Sequence, residues 1–322
     1  MSKVSADEKI LKGKIAVLCG GDGAEREVSL RSGEAVCRAL REAGCETEAV
    51  DLRSLEEVSG LGGFALAFVA MHGDWGEDGR LQARLEEAGI PYTGSGPGAC
   101  ALAMNKWRAR AAFERAGLSV PRGILVPSGE ADPDEVRAEL GDTVVVKPCS
   151  GGSTVGVTLF RDPAEMTPEA LHNAVALARK RYDSEVLIER YVEGRELTAT
   201  AWEQEDGRVA ALPVIEIVPR HGFYDYGNKY TAGATEYLVP APLDADVLHQ
   251  VELDAVEAHR ALGCRAYSRT DFRLSRDGVP YVLETNTAPG RTATSLVPKA
   301  AAAAGIPFPE FVLKIVRAAL PS

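Results

Sequence analysis

The stretch Arg269-Thr-Asp-Phe-Arg-Leu-Ser-Arg-Asp-Gly-Val-Pro-Tyr-Val-Leu-Glu-Thr-Asn286 sets Asp277-Gly278 between two alternating apolar segments. Asp-Gly is a preferred two-residue type I′ turn, and a turn of that length fixes the register of both flanking strands. The expected pairing puts Arg276 opposite Val279, Phe272 opposite Leu283, Asp271 opposite Glu284 and Arg269 opposite Asn286. Directly opposed residues share a face of the sheet. Arg269, Asp271, Glu284 and Asn286 then cluster on one face, while Phe272, Leu274, Tyr281 and Leu283 line the other and supply core. Two opposed carboxylates repel unless something positive sits between them. Asp, Glu and Asn oxygens are the hard ligands that Mg²⁺ takes, with waters and substrate phosphates completing its shell. Taken alone, the hairpin leaves a second reading open, in which its charges face water and Arg269 is a counter-ion. A turn of three or four residues would change the pairing.

Upstream, Lys147-Pro-Cys-Ser-Gly-Gly-Ser-Thr-Val-Gly156 follows the β-branched strand Thr143–Val146. Glycines permit positive φ and close backbone approach, so successive N–H groups can cradle a phosphate. Ser153 and Thr154 add hydroxyls, and Lys147 adds a charge at the strand end. The GxxxxGK[ST] spacing is absent and a strand follows, so this is no P-loop. Read alone, a flexible Gly/Ser hairpin loop is the simpler account. Lys106, at the start of a helix, reads alone as a solvated side chain. Glu189 ends the apolar run Val186-Leu187-Ile188, and Glu196 lies just past Glu193-Gly194. At a domain junction these carboxylates can accept bonds from an adenine amine and ribose hydroxyls; read alone, they are ordinary edge glutamates.

The first hundred residues alternate strand and helix patterns. Lys14–Cys19 is an apolar strand followed by a Gly20-Gly21-Asp22-Gly23 turn, and a helix is expected over about Glu27–Ala43. Phe64–Ala70 reads as a buried parallel strand, Gly79–Ala88 as a helix and Ile90–Thr93 as a strand. This rhythm implies a doubly wound α/β domain over residues 1–104. Residues 105–194 read as a small central α+β module, with a helix at Asn105–Ala116, strands at Val120–Val126, Thr143–Val146, Val155–Phe160 and Glu185–Arg190, and a helix at Thr167–Tyr182. A larger C-terminal α+β domain, residues 195–322, holds long strands, an irregular loop at 220–233, a helix over about Asp244–Leu262, the 269–286 hairpin and a last helix from about Pro309.

Composition narrows the partners. With 36 Lys and Arg against 47 Asp and Glu, the net charge is −11, which disfavours nucleic acid and acidic membrane as bulk partners. A small phosphate ligand is compatible, because a few lysines and backbone N–H groups suffice locally. The six cysteines (Cys19, Cys37, Cys45, Cys100, Cys149 and Cys264) show no CxxC spacing, so scattered reduced thiols in the cytosol are expected. The polar opening MSKVSADEKILKGK is not a signal peptide, and no apolar run approaches the ~20 residues of a membrane span.

These pieces occur in an order that resembles the D-alanine–D-alanine ligases of the ATP-grasp superfamily, over nearly the whole chain. The resemblance is carried by Gly20-Gly21 with Ala24-Glu25-Arg26-Glu27-Val28-Ser29, by His72-Gly73-Asp74-Trp75-Gly76-Glu77-Asp78-Gly79, and by Lys147-Pro148 with its loop. It continues through Phe223-Tyr224-Asp225-Tyr226-Gly227-Asn228-Lys229-Tyr230, Glu284-Thr285-Asn286-Thr287-Ala288-Pro289-Gly290 and Ser295-Leu296. It implies the ATP-grasp fold and ATP-driven ligation of two D-alanines through an acyl phosphate, for peptidoglycan precursors. It also implies two Mg²⁺ ions, replaceable by Mn²⁺, and a homodimer. Lys106, Lys147, Ser153, Thr154 and Lys229 would serve ATP and its phosphates, while Glu189 and Glu196 would bind adenine and ribose. Asp271, Glu284 and Asn286 would hold the metals. Glu25 would take the first ammonium, with His72 near that substrate; Ser153 and Tyr230 would join Glu25 in closing the 220–233 loop as a lid. Ser295 and Leu296 would meet the second D-alanine, Gly290 would offer an N–H, and Arg269 would stabilise the tetrahedral oxyanion. The Lys229-Tyr230 pair speaks against a lactate-using ligase. Cys149-Ser150-Gly151-Gly152, Asp74-Trp75 and Arg291 depart from the family pattern.

Overall fold

Strand β1 (Ile15–Gly20) is buried along its whole length, as a central parallel strand covered on both faces must be. In the computed structural model, which describes residues 13–319 apart from 24, 128–130, 153, 183–184, 205, 221–232, 291 and 293, it leads into helix α1 (Arg26–Glu42). The helix buries Ser29, Ser32, Gly33, Val36 and Leu40, a stripe at three- and four-residue spacing. Strand β2 (Thr47–Leu52) and strand β3 (Leu66–Val69) flank β1 in parallel, giving the order β2-β1-β3. Alternate β1 residues face opposite ways. Ile15 and Val17 pack with α1, whereas Ala16 and Leu18 pack with Leu52, Leu61 and Leu85. The short helix α2 (Asp74–Glu77), then α3 (Arg80–Glu87), follow. The strand expected at Ile90–Thr93 is reduced to a single bridge between Ala67 and Tyr92.

Helix α4 (Pro97–Met104) runs into α5 (Lys106–Arg115), whose Asn105 cap accepts the Arg108 N–H at 3.0 Å. Beyond it lie β4 (Gly123–Val126), α6 (Pro133–Leu140), β5 (Val144–Pro148), β6 (Thr158–Phe160), α7 (Pro168–Tyr182) and β7 (Val186–Arg190). These strands form a sheet of order β4-β7-β5-β6. Val144, Val146, Val186 and Ile188 pack against α6 and α7 residues. By the two-residue period of a strand, Val145, Lys147 and Glu189 occupy the other face.

The largest sheet has the order β11-β10-β8-β12-β13, with β9 on β8. Its strands are β8 (Gly194–Glu203), β9 (Val209–Ala211), β10 (Ile215–Pro219), β11 (Thr235–Leu238), β12 (Tyr267–Ser275) and β13 (Pro280–Asn286). Helix α8 (Ala245–Ala261) covers one face together with α5, through Leu197, Phe272 and Val282 meeting Val251, Ala255 and Phe113. The chain ends in α9 (Leu296–Ala303) and α10 (Phe308–Ala318), which return to the first sheet. Phe311, Val312, Ile315 and Val316 share one core with Val17, Val36 and Leu40. Among the described residues no single helix is long and apolar enough to cross a membrane.

The β12–β13 hairpin corrects part of the expected register. The loop holds three residues, Arg276–Gly278, with Ser275 N–H donating to Val279 O at 3.0 Å and Gly278 at φ +83°. Arg276 therefore does not pair with Val279, and Phe272 lies opposite Val282 instead of Leu283. A one-residue slip exchanges faces: Tyr281 falls opposite Arg273, and Val282 enters the core in place of Leu283. A β-bulge between Asp271 and Phe272 then takes up one residue. The pairings Arg269–Asn286 and Asp271–Glu284 emerge as expected.

Candidate active site

On β12 the two-residue period puts Arg269, Asp271 and Arg273 on one face. Strand β8 sets Thr200, Thr198 and Glu196 directly across from them, and β13 sets Asn286 and Glu284 on the other side. Arg269 forks onto Asp271, with Nε 2.9 Å and Nη2 2.8 Å from the two carboxylate oxygens. Thr198 Oγ1 donates to Asp271 Oδ1 at 2.6 Å. Glu284 Oε2 lies 3.3 Å from Lys106 Nζ. The acidic pair thus has a cation on each member, which answers the repulsion between opposed carboxylates.

The second wall comes from β5 and β7. Lys147 is 8% and Glu189 5% exposed, and their side chains form an ion pair. Charges this deep need partners, and Arg110 of α5 supplies another, its Nη1 3.5 Å from Glu189 Oε1. Past β5 the chain turns sharply, with Gly151 at φ +96°, Gly156 at +76° and Thr154 at +61°. A β-branched residue at positive φ is strained and persists only where its surroundings impose it. Cys149 is buried, which pushes its thiol up to about 11. Its carbonyl accepts the Lys106 N–H at 2.8 Å, and Lys106 Nζ donates to Gly151 O at 2.5 Å. The start of α5 is thereby fastened beneath the glycine loop.

Between these walls lies an open cleft. It is lined by Lys106, Lys147, Thr154 and Glu189 on one side and by Glu196, Asp271 and Glu284 on the other. Among the described residues no three His, Cys, Asp or Glu side chains form a metal cluster. The hairpin offers two carboxylates and the Asn286 amide. That donor set suits Mg²⁺, which binds through one or two carboxylates and completes its shell with waters and substrate phosphates.

Two further groups gather elsewhere. Glu25 precedes α1 and lies against Gly73 (φ +65°), where a Cβ would fall 2.3 Å from Glu25 Oε2. His72 Nε2 is 2.9 Å from Ser32 Oγ and its Nδ1 3.4 Å from Glu77 Oε1. At the start of α9, Ser295 Oγ accepts the Thr292 N–H at 3.2 Å. Gly290 sits so close that a Cβ there would be 2.9 Å from Ser295 Oγ, and Leu296 packs on the core beneath. Ser153, Lys229, Tyr230, Arg291 and the 221–232 part of the expected lid lie outside the described residues.

Residues 113–317 match the protein-family profile for the D-ala D-ala ligase C-terminus. The chain belongs to the D-alanine–D-alanine ligase family. The D-alanine–D-alanine ligase of Cupriavidus taiwanensis is 44% identical over 309 residues, covering 95% of this chain and 92% of that one. The corresponding ligase of Nitrosospira multiformis is 44% identical over 306 residues, covering 94% and 96%. Among solved structures, a Bacillus anthracis D-alanine–D-alanine ligase complexed with ATP superposes with a TM-score of 0.78 at 30% identity, covering 95% and 96%. The VanG D-Ala:D-Ser ligase of Enterococcus faecalis gives 0.79 at 28%, covering 95% and 99%. The fold is that of ATP-grasp ligases.

Within this ligase fold, several residues in or against the cleft carry no motif of their own in the sequence. Thr198 and Arg273 share the alternation that exposes Glu196 and Asp271, so their face was legible once β8 and β12 were paired. Arg110 gave no such signal. It sits 9% exposed on a helix whose sequence, KWRARAAFER, reads as a solvated basic face. The unusual Trp75 does have a local partner: its indole N–H donates to Asp22 Oδ1 at 2.9 Å, tying the His72 loop to the Gly20–Gly23 turn.

Proposed function

We propose that this chain joins two D-alanines into D-alanyl-D-alanine at the expense of ATP, supplying peptidoglycan precursors in the cytoplasm as a homodimer. The observation that carries the reading is the cleft itself. Paired lysines under a glycine loop face a hairpin with two carboxylates and an amide, in a chain belonging to a family of that name.

Lys106 and Lys147 hold the nucleotide phosphates, with Thr154 and Ser153 at the loop and Lys229 approaching from outside the described segment. Glu189 and Glu196 take the adenine amine and the ribose. Asp271, Glu284 and Asn286 hold two Mg²⁺ ions, which when bound neutralise charge on the transferring phosphoryl group. Glu25 accepts the ammonium of the first D-alanine beside His72, and Tyr230 and Ser153 complete that group. Phosphorylation of the first carboxylate replaces a poor leaving group with phosphate, and the second amine then attacks. Ser295 and Leu296 position the second D-alanine. Arg269, held by Asp271, and the Gly290 N–H face the oxyanion formed in that attack.

The test is phosphate release with a panel of D- and L-amino acids, D-serine and D-lactate, in the presence and absence of Mg²⁺, with product chirality determined. Release that requires ATP, Mg²⁺ and D-alanine together is expected. Nucleotide binding without D-alanine-dependent turnover would refute the enzyme reading. A D-serine or D-lactate product exceeding the dipeptide at neutral pH would reassign the acceptor.

A further inference from the structure

Arg273 stands on the cleft face of β12 two residues beyond Asp271, directly across from Glu196 on β8. Its Nη1 lies 3.3 Å from Glu196 Oε2. Its Nε donates to Val192 O at 3.1 Å, and its Nη2 to both Tyr191 Oη and Gly194 O at 2.9 Å. The guanidinium also stacks over the Tyr191 ring, 5.2 Å from its centroid, while Arg161 lies 5.5 Å from that centroid. Tyr191, Val192 and Glu193 connect β7 of the four-stranded sheet to β8 of the largest sheet, the two walls of the cleft. At the end of this connector Gly194 passes against β12, where a Cβ would fall 1.8 Å from Leu274 O. One side chain therefore grips the connector, the neighbouring wall and a cleft carboxylate at once.

We infer that Arg273 is a positioning residue for the nucleotide: it aims the Glu196 carboxylate into the cleft and fixes how the two sheets meet. This rests on the nucleotide reading of the cleft. Donors committed to protein acceptors orient a site and leave little to bind a ligand directly. A planar fork does so with less loss of freedom per bond than a flexible ammonium would, and a carboxylate fixed in advance costs less to engage on binding. A tie that served stability alone would not single out the nucleotide.

The experiment uses the full chain and the variants R273M, R273K, E196Q and R273M/E196Q. Calorimetry gives the Kd for Mg²⁺ with a non-hydrolysable ATP analogue, and steady-state kinetics give KM for ATP, KM for D-alanine and kcat. R273M is expected to weaken the nucleotide analogue about tenfold, within the range of couplings between touching residues. Its kcat and its KM for D-alanine are expected to stay within about twofold of wild type, and R273K is expected to fall between R273M and wild type. Because Arg273 acts through Glu196, the double variant is expected to bind no more weakly than the weaker single variant. An unchanged Kd in R273M overturns the inference. So does a double variant whose loss is the product of the single losses, or an equal decline in nucleotide and D-alanine parameters. If R273M fails to fold, R273K decides by the same ratios. A wild type that binds the analogue without D-alanine-dependent phosphate release would refute the ligase reading and still leave the Kd ratios to judge Arg273.

Discussion

Glu284 faces the cleft on β13, opposite Asp271 and beside Lys106. Its neighbours Val282 and Thr285 are buried, whereas Glu284 itself is partly exposed, so its carboxylate serves the cleft and not the core. Replacing it by Gln keeps the shape and removes a hard anionic ligand. We predict that Glu284→Gln lowers kcat at least ~100-fold, on the scale of losing a charged transition-state contact. The melting temperature should move by less than about 3 °C, as expected of a change under 1 kcal/mol in a chain of this size. Near-normal turnover, or a collapse in melting temperature, would count against the metal assignment. Lys147→Ala tests the other wall. It leaves Glu189 buried with a weaker set of partners, and removing one partner of such a pair costs about 3–5 kcal/mol. This variant should therefore lose both nucleotide affinity and stability, read by calorimetry and a urea titration. A stable, tight-binding Lys147→Ala would mean that Arg110 alone neutralises Glu189.

At the scale of elements, the hairpin shows why a sequence yields a site more readily than a strand register. Asp277-Gly278 correctly announced a turn, but the dipeptide cannot say whether Arg276 joins the loop. It does, and the pairing nearest the loop shifts by one. Asp271 and Glu284 still meet because the bulge reverses the shift, an event with no local sequence signal. Other elements were illegible for plainer reasons. Strand β2, TEAVDL, carries two acidic residues in six and an exposed middle because it lies at a sheet edge. Helix α6 did carry signals, an Asp132 cap that accepts the Asp134 N–H and Pro133 in the first turn, but it is only eight residues long. Arg110 reaches Glu189 only through the packing of α5. The loop itself is testable. Gly278 has φ +83° and open space around its Cα, so Gly278→Ala pays only for the left-handed backbone, about 1–2 kcal/mol. Urea midpoints should fall accordingly with KM for ATP unchanged; an altered KM would show that loop geometry reaches the cleft. Beneath the hairpin, His259 of α8 is buried with Nδ1 2.9 Å from Ser268 Oγ. Burial lowers its pKa from 6.5 to about 4. The unfolded chain therefore binds this proton first as pH falls, and stability drains away between pH 6.5 and about 4, full above that window. The loss should approach about 3 kcal/mol. His259→Gln should show a shallower fall in urea midpoint over that window than wild type; equal slopes would place the titration elsewhere.

Across the whole molecule, the cleft lies between two sheets, but the chain is closed by a third contact. Trp202 on β8, Tyr267 on β12 and Phe311 on α10 form one aromatic group, with ring centroids 5.3 Å apart for Trp202–Phe311 and 6.1 Å for Tyr267–Phe311. That group belongs to the same core as Ile15, Val17, Val36 and Leu40 of the first sheet and its helix. The C-terminal helices therefore join the sheet carrying Asp271 to the part that carries Glu25 and His72. The proposed reaction needs both amino-acid subsites against one phosphate site, so these parts must not drift, and a shared core resists drift better than surface pairs do. Phe311→Ala should cost about 3–5 kcal/mol, the range for emptying a large aromatic site in a core. The decisive readout is cooperativity. Far-ultraviolet circular dichroism and the fluorescence of Trp75, Trp107 and Trp202 should lose signal at one common urea midpoint in the wild type. In Phe311→Ala, the Trp75 signal should separate to a lower midpoint, because its part has lost the contact that coupled it to the large sheet. The variant's KM for D-alanine should rise more than its KM for ATP, since the nucleotide walls keep their own cores. Coincident midpoints with both KM values unchanged would show that the aromatic group fills space without coupling the two halves.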